Sequence, residues 1–106
     1  MRSNYGLIMT MPDGETYKLY FTDDEHWGDD WDFDVMAQDD AGKEVCITYT
    51  APQLDRDGEE PYDEYLDRCV EAIDWTRPDY IEDIDGDPET PYHFDADTDD
   101  ATFKWF

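Results

Sequence analysis

The sequence is short of positive charge: 7 Lys and Arg stand against 31 Asp and Glu in 106 residues, for a formal net charge of −24. With no Lys/Arg patch to overcome like-charge repulsion, direct binding to nucleic acid or to an anionic membrane is not expected. Long apolar runs are missing as well. No aliphatic stretch is longer than Leu7-Ile8-Met9, so neither a signal-peptide core nor a transmembrane helix is expected, and the chain reads as cytoplasmic.

Cysteine and histidine are equally scarce. Cys46 and Cys69 have no CxxC spacing and no histidine at metal-ligand spacing. Cysteines of this kind are commonly buried free thiols, with an internal disulfide as the alternative. His26 and His93 lie in no nucleophile or metal motif, and no glycine-rich loop exists to cradle a phosphate. Paired carboxylates arise by chance among so many acids, and a hydrolase acting on phosphates would need electropositive groups that seven scattered cations do not supply. The expectation is a non-enzymatic protein with no catalytic residue, no cofactor and no specific metal.

What is abundant is aromatic surface and acid. Charge and mean hydropathy alone lean toward disorder, yet 4 Trp, 8 Tyr and 5 Phe are far too many for a disordered tail. The length suits one domain, residues 1–106, with a single core. Tyr5, Leu7, Met9 and Met11 alternate with other residues up to the turn Pro12-Asp13-Gly14, and Tyr17, Leu19 and Phe21 resume the period of two. After an acidic connection, Trp31, Phe33, Val35 and Ala37 alternate with Asp30, Asp32, Asp34 and Met36. A turn at Asp39-Asp40-Ala41-Gly42 leads to Val45, Ile47 and Tyr49. Two hairpins result.

From Pro61 to Trp75 the set Tyr62, Tyr65, Leu66, Cys69, Val70 and Ile73 forms one helical face, leaving Asp63, Asp67, Glu71 and Asp74 outward and Glu64 placed to pair with Arg68. Arg77-Pro78 stops the helix. Residues 79–100 read as an irregular acidic loop tethered by Tyr80, Ile81, Ile84, Tyr92 and Phe94, and 101–106 as a last strand. The fold class is therefore α+β: an antiparallel sheet of about four to five strands, packed by one amphipathic helix. Its edge strands leave a homodimer open, with the oligomeric state undetermined.

The acid is blocked. Residues 22–40 hold nine carboxylates and residues 79–100 hold ten, neither block containing Lys or Arg. Asp30, Asp32 and Asp34 should share one strand face at spacings of about 6.8 Å, roughly half the linear charge density of a DNA strand with one charge per about 3.4 Å. Asp23, Asp24, Glu25, Asp29, Asp39 and Asp40 would thicken that line. The competing reading is a merely solvated sheet face, but such a face usually interleaves both signs. Trp27, in the loop Glu25-His26-Trp27-Gly28, suits an interface anchor, whereas Trp31 and Trp75 suit a core. The partner-binding set is completed by the helix stripe and by Asp83, Asp85 and Asp87. The runs Asp83, Asp85, Asp87 and Asp95, Asp97, Asp99 are similar to calcium loops. However, Pro88 and Asp100 stand where such a loop needs glycine, and Phe94 and Phe106 where it needs glutamate.

Charge of this size works against the compact state, so a basic partner is its natural explanation. In size and acidity the whole chain resembles the small phage-encoded DNA mimics of the anti-CRISPR and antirestriction kind, with no motif behind the likeness. The resemblance implies a non-catalytic inhibitor, without cofactor, of a bacterial defence nuclease or CRISPR effector. Three alternatives stand beside it: an immunity protein for one basic nuclease toxin, a domain adapted to high salt, and a weak calcium-binding module. Salt adaptation usually brings small apolar residues and evenly spread acid, which this chain lacks.

Overall fold

The computed structural model describes residues 6–40, 42–84, 96–97 and 100–106, the side chains of Asp83, Ala96 and Asp97 excepted. Among the described residues, seven strands and one helix follow in the order β1 (Gly6–Thr10), β2 (Thr16–Trp27), β3 (Asp32–Gln38), β4 (Glu44–Thr50), α1 (Tyr62–Glu71), β5 (Tyr80–Asp83), β6 (Ala96–Asp97) and β7 (Thr102–Trp105). They form a single sheet in the order β6-β5-β4-β3-β2-β1-β7, antiparallel at every pairing. The architecture is α+β, as the pattern predicts, with more strands than expected. The additional ones, β5 and β6, come from the segment read as a loop. β5 is only four residues long, too short for a visible period of two, and Ile81 declares itself only by pairing with Ile47 in the core.

The sheet has to curl. Six spacings of about 4.8 Å would set the edge strands of a flat sheet about 29 Å apart. Residues 98–101 alone join β6 to β7, and five steps of chain reach at most about 18 Å. Right-handed twist supplies the bend.

The concave face carries the core: Leu7 and Met9 from β1, Leu19 from β2, Phe33, Val35 and Ala37 from β3, Val45, Ile47 and Tyr49 from β4, and Ile81 from β5. Ile73 and Trp75, just beyond α1, plug it. The Tyr49 hydroxyl donates to the Trp75 carbonyl at 2.8 Å, and the two rings meet edge-on at 4.8 Å. The helix buries Tyr65 and Cys69, with Asp63 and Glu64 at its positive end. It ends at Glu71, short of the expected Trp75, because Asp74 accepts from the Thr76 amide and hydroxyl and turns the chain. Asp74 thus belongs to that turn rather than to the helix stripe. Cys46 and Cys69 are both buried and free, so the disulfide alternative is not realised. Among the described residues, no helix is long and apolar enough to cross a membrane.

Two departures concern acidic segments. Asp23, Asp24 and Glu25 are not in a connection but in β2. Phe21 pairs with Ala37 and Glu25 with Val35, so four steps of β2 face two of β3 and the excess bulges outward. Asp30 is not in β3. With Trp31 it forms the β2–β3 turn, both residues in the left-handed region at φ 53° and 67°. That conformation is costly for an indole.

Candidate functional site

The convex face of the sheet holds the acid. Along β3 the outward residues are Asp32, Asp34, Met36 and Gln38, flanked by Cys46, Thr48 and Thr50 of β4. Asp34 accepts from the Thr48 hydroxyl at 2.8 Å and lies 3.3 Å from His26 Nε2 across β2. Thr50 donates its hydroxyl to Asp79. Partial burial, then the charges of Asp34, Asp79, Asp30 and Asp29, raise the Asp32 pKa above the usual aspartate value. Five carboxylates therefore gather where β3 begins. Asp30 joins them from the turn and not from the strand, which corrects the expected row of three. Cys46 beneath them is pushed up to about 11, by burial first and then by Asp34, so its thiol stays protonated and inert.

Neutral donors orient much of this acid. Besides Thr48 on Asp34 and Thr50 on Asp79, Tyr20 donates its hydroxyl to Asp40 at 2.9 Å and Tyr17 to Glu15 at 2.6 Å. A hydroxyl fixes a carboxylate without cancelling its charge. Several of the cations are engaged elsewhere. Arg68 grips both oxygens of Glu60 at 2.7 Å and the Asp55 carbonyl at 3.0 Å. Arg56 donates to the Glu60 carbonyl at 2.9 Å, Arg77 lies 3.4 Å from Asp74, and Lys43 is buried in the β3–β4 turn. Glu60, and not the expected Glu64, is the partner of Arg68, because the loop before α1 offers it end-on to the guanidinium fork. The pairing holds the Glu60 carboxyl below the usual range and raises Arg68.

The other sequence-selected residues divide. Asp23 and Asp24 stand exposed at the bulge, beside an opening of about 410 Å³ shared with Glu44. Asp29, Asp40, Asp63, Asp67 and Glu71 are exposed. Two fall away from the outer surface. Asp39 is only 5% exposed and accepts from the Lys43 amide at 2.9 Å, so it serves the turn that Gly42, at φ 81°, completes. Glu25 pairs opposite Val35, which turns it to the half-buried concave side. Asp83 lies in β5, whereas Asp85 and Asp87 lie outside the described residues, as does most of the calcium-like pattern. Among the described residues, no group of three His, Cys, Asp or Glu is placed to hold a metal ion.

At the end of the sheet nearest the helix, Trp27, Gly28, Asp30 and Trp31 meet Tyr62 and Leu66 of α1 around a cleft of about 420 Å³. Trp27 and Trp31 stand edge to face at 5.8 Å. Trp27 also touches Phe33 at 5.2 Å, and Trp31 touches Tyr65 at 6.0 Å. Of the aromatic members, sequence reasoning selected only Trp27. Trp31 reads as core by its alternation with Phe33 and Val35, and the turn that swings it to the cleft leaves no periodic signal. Compared with protein-family models, curated proteins and solved structures, the chain matches none.

Proposed function

We propose that the protein is a non-catalytic inhibitor that occupies the basic nucleic-acid-binding surface of a target protein, its carboxylates standing in for phosphates. The target is a nuclease or CRISPR effector, and the role an anti-defence one of the anti-CRISPR or antirestriction type, exercised in the cytoplasm of a bacterial host. One observation carries this reading: Asp34, Asp79 and Asp40 are oriented by hydroxyls, so they are fixed in place by groups that carry no positive charge of their own. A surface that merely kept the chain dissolved would not require acids to be positioned. The elongation of the molecule adds support, since its 51 Å long axis covers the rise of about 15 base-pair steps. Attraction to a cationic groove would speed encounter and weaken steeply with salt, the screening length being about 8 Å at 0.15 M.

The test is capture of partners from bacterial lysate on the tagged chain at near-physiological salt, with and without competing duplex DNA. The expected result is a nucleic-acid enzyme that DNA displaces. A partner indifferent to DNA would replace mimicry with the immunity-protein reading. Folding that requires molar salt would replace it with salt adaptation, and a stoichiometric calorimetric signal with micromolar calcium would restore the cation binder.

A further inference from the structure

We infer that the cleft between the β2–β3 turn and α1 is a receptor for one arginine side chain of the basic partner. The claim deepens the inhibitor reading and rests on it for the source of the arginine. The chemistry is in the walls. Trp27 and Trp31, at an interplanar angle of 87°, form a corner of two indoles, and Tyr62, 54% exposed, stands across from them on the helix with Leu66. Indole is the best cation-binding ring among the side chains. Asp30 lines the same cleft, and among the described residues no Lys or Arg does. The site thus combines aromatic faces, an aliphatic floor for a methylene stem and a carboxylate for the charged head. A volume of about 420 Å³ lies within the range of about 300 to 1,000 Å³ typical of ligand pockets.

Arginine fits better than lysine. Its guanidinium is planar and weakly hydrated, stacks on rings and forms two hydrogen bonds to a carboxylate, whereas an ammonium is compact and strongly hydrated. The chain itself makes this kind of contact next door: Arg56 stands over the Tyr62 ring at 5.5 Å and Arg68 over Tyr65 at 5.9 Å. Arg56 is tied to the Glu60 carbonyl and Arg68 to Glu60 and Asp55. Arg56 thus already stands over one ring of the lining, Tyr62, and it is the acid Asp30 and the indoles of Trp27 and Trp31 that are offered to an outside cation. The turn also holds both residues in place. The Trp31 carbonyl accepts from Ala51 at 2.9 Å and the Asp29 carbonyl from Asp32 at 3.0 Å, fixing the left-handed pair Asp30-Trp31 before any ligand arrives.

The experiment is a titration of the full chain with N-acetyl-arginine methylamide, following the four indole N–H signals by NMR at 0.15 M salt, with the lysine analogue in parallel. Saturable shifts at Trp27 and Trp31, with Trp75 unmoved and lysine binding more weakly, are the expected result. Asp30→Asn keeps a residue that tolerates φ 53° while removing the charge, and Tyr62→Leu changes an exposed ring. Each should weaken arginine binding about two- to fivefold, with the rest of the spectrum unchanged. Shifts that fail to saturate, that spread evenly over all four indoles, or that lysine reproduces at equal concentration would overturn the assignment. Because the probe is an amino-acid derivative, a cleft that ignores arginine would leave the DNA-competition result standing. Conversely, a partner indifferent to DNA would leave the arginine site standing.

Discussion

The convex face of the sheet has two halves that share a backbone geometry and differ in charge. On β3 to β5 the outward positions include Asp32, Asp34, Thr48, Thr50 and Glu82, with Met36, Gln38, Cys46 and Tyr80. On β1, the first part of β2, and β7 they are Ile8, Lys18 and Lys104 with threonines at one end. Lys18 and Lys104 are far apart in sequence, yet both sit opposite Ile8, one on each side. Lys18 spends its charge on the Phe106 ring, 5.7 Å away. Residue order already keeps Lys and Arg out of the two acidic blocks, and antiparallel register brings the distant Lys18 and Lys104 together on the other half. On β4 the acids Asp32 and Asp34 face the hydroxyl residues Thr50 and Thr48, and the cationic half is interrupted by an apolar residue.

The largest effect expected from breaking this division is on binding. Reversing Asp30, Asp32 and Asp34 together should weaken the DNA-displaceable partner by about 100-fold or more, measured as dissociation rate on immobilised target. Reversing Lys18 and Lys104 should leave affinity unchanged or raise it through faster association. Equal losses from the triple and the double variant would mean that the halves are not functionally distinct.

Next in size is a backbone test of the cationic half. Gly6 begins β1, and a Cβ there would run into the Leu19 carbonyl of β2 and crowd the Phe106 ring. Gly6→Ala should therefore cost about 3 kcal/mol in urea-induced unfolding. Gly14 has open space around it, and its replacement tests only the strain of φ 92°, for about 1 kcal/mol.

A third comparison sets Asp32 against Glu60 by pH. The folded-state pKa of Asp32 is raised, so its ionisation opposes folding. Asp32→Asn should stabilise the protein by up to about 1 kcal/mol at neutral pH, after discounting for solvent screening. That gain should shrink as pH falls through the raised folded value and vanish below the unfolded value near about 3.9. Glu60 has the opposite sign: its pKa is lowered by Arg68, so its contribution is complete above the unfolded value and is lost as pH falls through the folded one. Thermal melts of Asp32→Asn and Glu60→Gln across pH 2.5 to about 7 would check both signs.

The smallest effect is general. With a net charge of −24, added salt in the range of about 0.05 to 0.3 M should raise the melting temperature by screening self-repulsion. The rise should be smaller in a variant that neutralises Asp30, Asp32 and Asp79.

Much of this arrangement was legible in the chain. The period of two in Phe33, Val35 and Ala37 and in Val45, Ile47 and Tyr49 marks β3 and β4 with the turn Asp39 to Gly42 between them, and Pro12-Asp13-Gly14 marks the turn between β1 and β2. Tyr65 and Cys69 at helical spacing locate α1. Acid runs concealed the rest. Asp23 and Asp24 look like a loop because aspartate disfavours strands, yet a bulge lets β2 carry them outward. Asp30 continues the alternation of Asp32 and Asp34 in sequence, but two left-handed residues end the strand before it. Asp39 looks like surface charge and is a buried turn acceptor.

Composition and periodicity by themselves determined the excess of acid, the antiparallel hairpins, the amphipathic helix and most of the core residues of β1 to β4, because each depends on side-chain type at short range. Only the tertiary structure decided which acids stand together, which hydroxyls hold them, where the lysines lie and that two indoles meet a helix around an acidic cleft. Those depend on strand register, on one bulge and one strained turn, and on the curl that a short connection between the sheet's two edges imposes.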